Sequence, residues 1–208
     1  MDQNQEHLKN LSEIRSLMER SSSCLSLSGL SGISAGIIGL AAAVILDYKL
    51  SPFLDYRKTV FLTAEHRNEL INFSLLILIP ALLLTFVSVI FFTSLKAKKK
   101  NLKLWEPSAK RLIVNLFIPL ITGGLFSIIL LLNYYDNLIF PSMIIFFGIA
   151  LVNASKYTLG EIFWLGLINV LLGLTAMLFP QYSLLLWGIG FGVMNIIYGT
   201  MMYFKYER

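Results

Sequence analysis

Few residues in this chain combine the type and the spacing that catalysis needs. The clearest group is Glu65, His66 and Arg67, three consecutive polar residues in the stretch "AEHRNE". Together they could serve a membrane enzyme that acts on lipid, but a reaction also needs partner groups that the sequence does not place nearby. His66 and His7 are each isolated and are typical of solvated loop residues. The sequence therefore predicts that the protein is not an enzyme.

Motifs for cofactors and metals are also missing from the sequence. It has no Walker lysine motif, no His-Glu-x-x-His motif and no Gly-x-Ser-x-Gly motif. Its single cysteine, Cys24, excludes an internal disulfide, a four-cysteine zinc site and an iron–sulfur cluster. We expect Cys24 to be a small packing residue, and we expect neither a cofactor nor a metal.

Two asparagines lie within apolar segments, where polar groups are costly and therefore informative. Asn169 lies seven residues into the fifth of six such segments, and Asn195 lies eleven residues into the sixth. At about 1.5 Å per residue their depths agree, so we expect them to approach each other across the last hairpin. An amide bond between helices would contribute about 0.6–2 kcal/mol. The alternative is that they line a path for a neutral solute or an ion.

The elements that hold these residues are predicted to be membrane-spanning helices. The chain of 208 residues is 56% hydrophobic and only 14% charged, whereas soluble domains have about a quarter of their residues charged. None of the apolar segments alternates with a period of two, so a barrel is excluded and an all-α polytopic bundle is predicted. No charged residue falls inside any segment, which disfavours an ion-coupled transporter or a pump. The six predicted transmembrane segments are 25–46, 71–93, 112–132, 138–154, 162–179 and 184–204.

The positions of the cations predict the orientation of the chain. With six spans, 13 of the 17 Lys and Arg residues lie on the side of the two termini, and 4 lie on the other side. Because cytoplasmic loops are rich in these residues, both termini are expected in the cytoplasm. The acidic residues before the first segment, Asp2, Glu6 and Glu13, are unlike a signal peptide, so that segment is expected to be retained.

Three polar regions lie outside the predicted spans. Residues 1–24 contain an amphipathic helix with apolar residues at helical spacing, which we expect to lie on the inner leaflet or against the transmembrane domain, 25–208. The outer loop 47–70 is the one exposed segment long enough to bind something. The basic loop 94–111 is expected to contact anionic lipid headgroups, since each nearby cation contributes about 1 kcal/mol. The headgroup-binding residues predicted there are Lys98, Lys99, Lys100, Lys103 and Trp105.

Small residues crowd the first apolar segment. Leucine gives helices in lipid little reason to associate, whereas small residues let two backbones approach closely. A row of them at four-residue spacing, Ser28, Gly32 and Gly36, is joined by Gly39 from the neighbouring row, and these four are the predicted packing residues. The partner is expected to be another helix of the bundle or a second copy of the chain. The functional alternative is that the serines of this segment line a polar path.

The last hairpin also carries a resemblance. The segment 166–204 has glycines in its first helix, a proline at the turn and a glycine late in its second helix, at Gly166, Gly173, Pro180 and Gly199. In this it resembles the short-repeat, HdeD-like membrane proteins, which have six spans built as three hairpins and are linked to acid resistance. The first hairpin departs from that pattern, because it has a 24-residue outer loop. The chain as a whole resembles polytopic bacterial inner-membrane proteins.

These features predict a protein of the bacterial inner membrane with a structural, stress-related or regulatory role. The alternative is a channel or passive transporter for a small uncharged solute. The bilayer and its anionic headgroups are the predicted partners, self-association into a homo-oligomer is a further expectation, and no nucleic acid is expected, because the cations lie between apolar segments.

Overall fold

The computed structural model describes residues 28–54, 64–99 and 107–206 of the chain. These residues form helices joined by short turns, with no strand among them. Six helices in these ranges are long and apolar enough to cross a membrane, and each overlaps one of the six predicted segments. The all-α class is thereby confirmed for the described residues. The predicted amphipathic helix within 1–24 lies outside the described residues.

The helices are numbered in chain order. They are α1 (Gly29–Leu54), α2 (Ala64–Lys99), α3 (Pro107–Leu132), α4 (Ile139–Ala154), α5 (Glu161–Leu178), α6 (Ser183–Gly188) and α7 (Met194–Tyr206). A π-helical segment, Ile189–Val193, joins α6 to α7. We call these three consecutive pieces the sixth helix. Single 3-10 turns, Asp136–Leu138, Ser155–Tyr157 and Pro180–Tyr182, separate the other elements of this half of the chain.

The first two helices extend into segments that the sequence analysis assigned to loops. Helix α1 continues to Leu54 and α2 begins at Ala64, so much of the predicted outer loop 47–70 is helical. Helix α2 also continues to Lys99, into the predicted basic loop. Both extensions of α2 consist largely of good helix formers, and Glu65 places a negative charge in its first turn, where the helix dipole favours it.

The helices pack in an order different from their order in the chain. Helix α1 lies between α2 and the sixth helix, and the sixth helix also packs against α5 and α4. Helix α4 in turn lies between α5 and α3. The row therefore runs α2, α1, sixth helix, α5, α4, α3, and its two outermost members follow one another in the chain. The largest fully buried side chains of the shared core belong to α1, α4 and α6, at Leu46, Ile144 and Leu184.

Helices α2 and α3 face each other without packing along their lengths. We call the line between them the α2–α3 seam. In the described residues it is bridged where the rings of Phe86 and Phe117 meet edge to face, with centroids 6.0 Å apart, and at the helix end that contains Arg67. We call that end the Arg67 end and the opposite one, which contains Glu161 and Lys205, the Glu161 end.

Candidate functional site

The closest helix contact joins α1 to the sixth helix. A Cβ atom added to Gly29 would lie 2.5 Å from the backbone nitrogen of Tyr203, and one added to Gly36 would lie 2.7 Å from the carbonyl oxygen of Gly192. Both distances are too short for a side chain. The backbones of the two helices therefore touch, which only glycine permits.

All four predicted packing residues lie at or beside this contact. A Cβ on Gly32 would lie 3.0 Å from the Cα of Gly199, and a Cβ on Gly39 would lie 2.8 Å from the carbonyl oxygen of Phe191. Ser28 is buried at the start of the contact, and its carbonyl accepts a 2.6 Å hydrogen bond from the hydroxyl of Ser31. The sequence analysis left the partner open; in the structure it is the sixth helix of the same chain, so a second copy would have to use another surface.

A second glycine contact joins α4 to α5. A Cβ on Gly148 would lie 2.7 Å from the carbonyl oxygen of Gly166, and a Cβ on Gly166 would lie 2.7 Å from the carbonyl oxygen of Gly148. The two glycines are therefore reciprocal, each occupying the space that a side chain on the other would need. This pairing lets the backbones of α4 and α5 pack closely against each other.

The sixth helix carries glycines that serve both of its sides. A Cβ on Gly188 would lie 2.8 Å from the Cβ of Ala43 in α1, and Gly192 lies against Leu40 of the same helix. Gly190 instead faces Asn169 of α5. Residues two apart on a helix point to nearly opposite sides. The alternating glycines therefore let the sixth helix fit between α1 and α5.

Both predicted intramembrane amides contact Gly190. Asn169 is fully buried, and its Nδ2 donates to the carbonyl of Leu165, 2.9 Å away. The Nδ2 of Asn195 donates to the carbonyls of Gly190 and Phe191, at 3.2 and 3.0 Å. Both groups thus donate within their own helices, so the predicted amide bond between the two helices does not form. The Oδ1 of Asn169 has no hydrogen-bond partner, and it points to the space beside the Gly190 Cα.

The π-helical segment contains Gly190. In it the backbone N–H of Met194 bonds to the carbonyl of Ile189, five residues earlier, in place of the usual four. The wider turn leaves carbonyls less well satisfied than in an α-helix, and Asn195 supplies them with a donor. Such segments are frequent at functional sites. Sequence reasoning missed this one, because the run "WGIGFGVMN" offered only closely spaced glycines as a signal.

At the Arg67 end, the guanidinium of Arg67 makes several polar contacts. Arg67 donates from Nε and Nη2 to the two carboxylate oxygens of Asp136, both at 2.8 Å, and from Nη2 to the carbonyl of Leu131 at 2.7 Å. Its guanidinium carbon lies 4.2 Å from the ring centre of Tyr134. Tyr134 has a positive φ of 64°, a strained conformation for a residue with a side chain. We call this group the Arg67 clamp; it ties the start of α2 to the turn between α3 and α4.

The clamp changes the interpretation of Glu65, His66 and Arg67 as a candidate catalytic group. Arg67 forms an ion pair with Asp136, while Glu65 and His66 are exposed. Sequence reasoning missed the pairing, because it joins residues far apart in the chain. The available signal was that Asp136 is the single acidic residue in the α3–α4 turn. In the described part of the chain, no three His, Cys, Asp or Glu residues lie close enough together to hold a metal ion.

The Glu161 end has its own charged contact. One carboxylate oxygen of Glu161 accepts from the Nζ of Lys205 at 2.6 Å and from the hydroxyl of Tyr206 at 2.9 Å. This contact joins the start of α5 to the end of α7. Because Lys205 is more than half exposed, water screens its attraction to Glu161.

Of the predicted headgroup residues, the structure describes only Lys98 in full. Lys98 is exposed near the end of α2. Lys99 ends that helix, and its side chain is not described, while Lys100, Lys103 and Trp105 lie outside the described residues. Two further cations, Lys110 and Arg111, are exposed in the first turns of α3.

Comparison with known proteins adds no relative. No model of a protein family matches the chain, no curated protein matches it, and no solved structure matches it.

Proposed function

We propose that the chain is a multi-pass protein of the bacterial inner membrane, with its six long helices spanning the bilayer as a bundle and both termini in the cytoplasm. Support comes from the length and composition of the helices and from the many large apolar side chains that α2 and α3 expose. The distribution of cations supports the orientation. On this proposal, the Arg67 end is periplasmic and the Glu161 end is cytoplasmic.

A cysteine-labelling experiment tests the location and the orientation together. In a Cys24→Ser background, single cysteines at Gln181 and at Lys156 should react with a membrane-impermeant maleimide from opposite sides. Gln181 should react in intact spheroplasts, and Lys156 only after the membrane is opened. The protein should also stay in the membrane after extraction at high pH. Equal labelling of both positions in intact cells would contradict the orientation, and release into the soluble fraction would contradict the membrane location.

Within that membrane, we propose a role without catalysis: structural, stress-related or regulatory. The observation that carries this proposal is which groups accept the hydrogen bonds that the polar side chains of the helices donate. In every candidate span a hydroxyl or amide group donates to the carbonyl three or four residues earlier in the chain, although the buried hydroxyls of Thr93, Ser183 and Tyr198 have no partner. Examples, one from each candidate span, are Ser31, Ser74, Ser127, Ser142, Asn169 and Thr200. Groups engaged in this way do not converge on a substrate.

One observation favours the alternative, a passive path for a small uncharged solute. The Oδ1 of Asn169 is a buried acceptor without a partner, and it lies beside the π-helical segment. A buried acceptor of this kind normally finds a donor, so a passing solute could supply one. The polar row of serines in α1 gives less support, since Ser34 donates to the carbonyl of Ser31 and lies 3.2 Å from the hydroxyl of Ser88.

Flux through liposomes separates the two functions. Purified protein is reconstituted, and the entry of glycerol, urea and water is followed by light scattering after rapid mixing. The non-catalytic role predicts the same rates as for empty liposomes, with no change when Asn169 is replaced by Leu. A rate above that of empty liposomes that the Asn169→Leu variant abolishes would contradict this role and establish the path.

A further inference from the structure

One face of α3 points into the α2–α3 seam. Phe117 lies on this face, because its ring meets the ring of Phe86 in α2. Residues seven apart fall on nearly the same side of a helix. Lys110 lies seven residues before Phe117 and Gly124 seven residues after it. The seam-facing side of α3 therefore presents a cation, an aromatic ring and a glycine in one line.

The seam is open at the level of Gly124. A Cβ atom added to Gly124 would have no atom within 4 Å, whereas one added to Gly123 would collide with Phe146. Helices α2 and α3 run in opposite directions, so the residue of α2 nearest to this level is Ile79, seven residues before Phe86. Ile79 is 53% exposed. The face of α3 thus has a notch at Gly124 that neither helix fills.

Cations gather where the seam reaches the Glu161 end. Lys98 on α2 and both Lys110 and Arg111 on α3 are exposed there. Lys110 and Gly124 are 14 residues apart, or about 21 Å along the helix. Half of the hydrocarbon core is about 15 Å thick, and a headgroup adds several ångströms. A lipid whose headgroup lies at Lys110 would therefore extend one acyl chain to the level of the notch.

We propose that the α2–α3 seam binds one anionic phospholipid from the leaflet at the Glu161 end. Its phosphate lies beside Lys110 and Arg111, and one acyl chain passes Phe117 and occupies the notch at Gly124. The charge of the headgroup complements these cations, and the apolar chain covers surface that no described helix covers. This site depends on the proposed membrane location and adds to it a particular lipid class and a particular place.

Native mass spectrometry tests the proposal. The full chain, freed of lipid, is mixed in micelles with equal amounts of phosphatidylglycerol and phosphatidylcholine, and the species with one bound lipid is measured. The unaltered chain should prefer phosphatidylglycerol severalfold. Lys110→Gln should reduce this preference about fivefold, because one cation near an anionic headgroup contributes about 1 kcal/mol. Gly124→Phe should reduce the binding of both lipids severalfold, since the new ring fills the notch.

Two matched variants control for general effects. Lys156→Gln removes an exposed cation at the same end, between α4 and α5, and Leu125→Phe adds a ring at an exposed position one residue from the notch. Both should bind lipid like the unaltered chain. Equal effects of Lys110→Gln and Lys156→Gln, no preference for phosphatidylglycerol, or unchanged binding by Gly124→Phe would each overturn the site. The site would also be overturned if the spectra showed a dimer of the chain in place of the lipid-bound monomer.

Extraction at high pH, measured alongside the lipid preference, separates this proposal from the membrane location. A chain that resists extraction at high pH but lacks the lipid preference would overturn the seam site alone. If Gly124→Phe does not fold, Lys110→Gln, which alters an exposed side chain, still decides the outcome.

Discussion

The contact between α1 and the sixth helix and the α2–α3 seam both pair long apolar helices, but they are held in opposite ways. In the first, glycines bring two backbones together, as at Gly29 and Gly199. In the second, one ring contact and one charged clamp bridge helices that do not otherwise pack. In lipid, apolar character does not decide which helices associate. The difference shows that the placement of small residues does.

The largest expected effect comes from adding one methyl group at the glycine contact. A Cβ on Gly199 would lie 2.5 Å from the backbone nitrogen of Ile33 and 2.6 Å from the carbonyl oxygen of Gly29. Because backbone atoms cannot move aside as a side chain can, Gly199→Ala should lower the free energy of unfolding by about 3 kcal/mol. Unfolding in mixed SDS micelles, followed by circular dichroism, measures it.

The same substitution in the seam is the matched control. Gly124→Ala adds a methyl group where nothing lies within 4 Å, and alanine is the better helix former. The free energy of unfolding should stay the same or rise by up to about 1 kcal/mol. Equal losses in Gly199→Ala and Gly124→Ala would show that the two helix pairs do not differ as described.

The next effect in size should come from the Arg67 clamp. Arg67→Ala removes three hydrogen bonds from a partly buried guanidinium and should cost about 1–2 kcal/mol. Arg67→Lys should recover only part of this, because an ammonium cannot bond both carboxylate oxygens in a fork. A double-mutant cycle with Asp136→Ala measures the coupling of the pair. A coupling energy indistinguishable from zero would mean that the clamp does not hold α2.

Substitutions of the two intramembrane asparagines should lower the stability less than Arg67→Ala does, and by different amounts. Asn195→Leu removes the donor that serves the carbonyls of Gly190 and Phe191, so it should cost about 1 kcal/mol. Asn169→Leu also removes an oxygen that has no partner, so its net cost should be smaller or absent. The thermal midpoints of the two variants in detergent provide the comparison. A larger loss for Asn169→Leu than for Asn195→Leu would mean that its Oδ1 has a partner in the folded protein.

The smallest effect should come from the contact at the Glu161 end. Lys205→Gln removes an exposed ion-pair partner of Glu161, and such pairs contribute little in water. The thermal midpoint should not change measurably. A clear fall would indicate that this end of the protein is less hydrated than its exposure suggests.

The sequence predicted the helices better than their arrangement. Six apolar runs and the row Ser28, Gly32 and Gly36 can be read directly, because lipid imposes length and composition on each helix separately. Which helix meets that row depends on packing over the whole chain, and so does the pairing of Arg67 with Asp136. The π-helical segment could not be predicted at all, since one inserted residue leaves no distinct pattern among glycines. The partners predicted for residues 98–105 and the HdeD-like resemblance stay predictions.

Cysteine cross-linking tests the contrast between the two helix pairs most directly. In a Cys24→Ser background, one protein carries cysteines at Ala43 and Gly188, and a second carries them at Ile79 and Gly124. In native membranes with a mild oxidant, the first pair should form a disulfide rapidly. A Cβ on Gly188 would lie 2.8 Å from the Cβ of Ala43, so a small outward shift of the two helices gives the spacing of about 3.5–4.5 Å that a disulfide needs. The second pair should stay reduced. Rapid bonding of Ile79 to Gly124, with none between Ala43 and Gly188, would contradict the account.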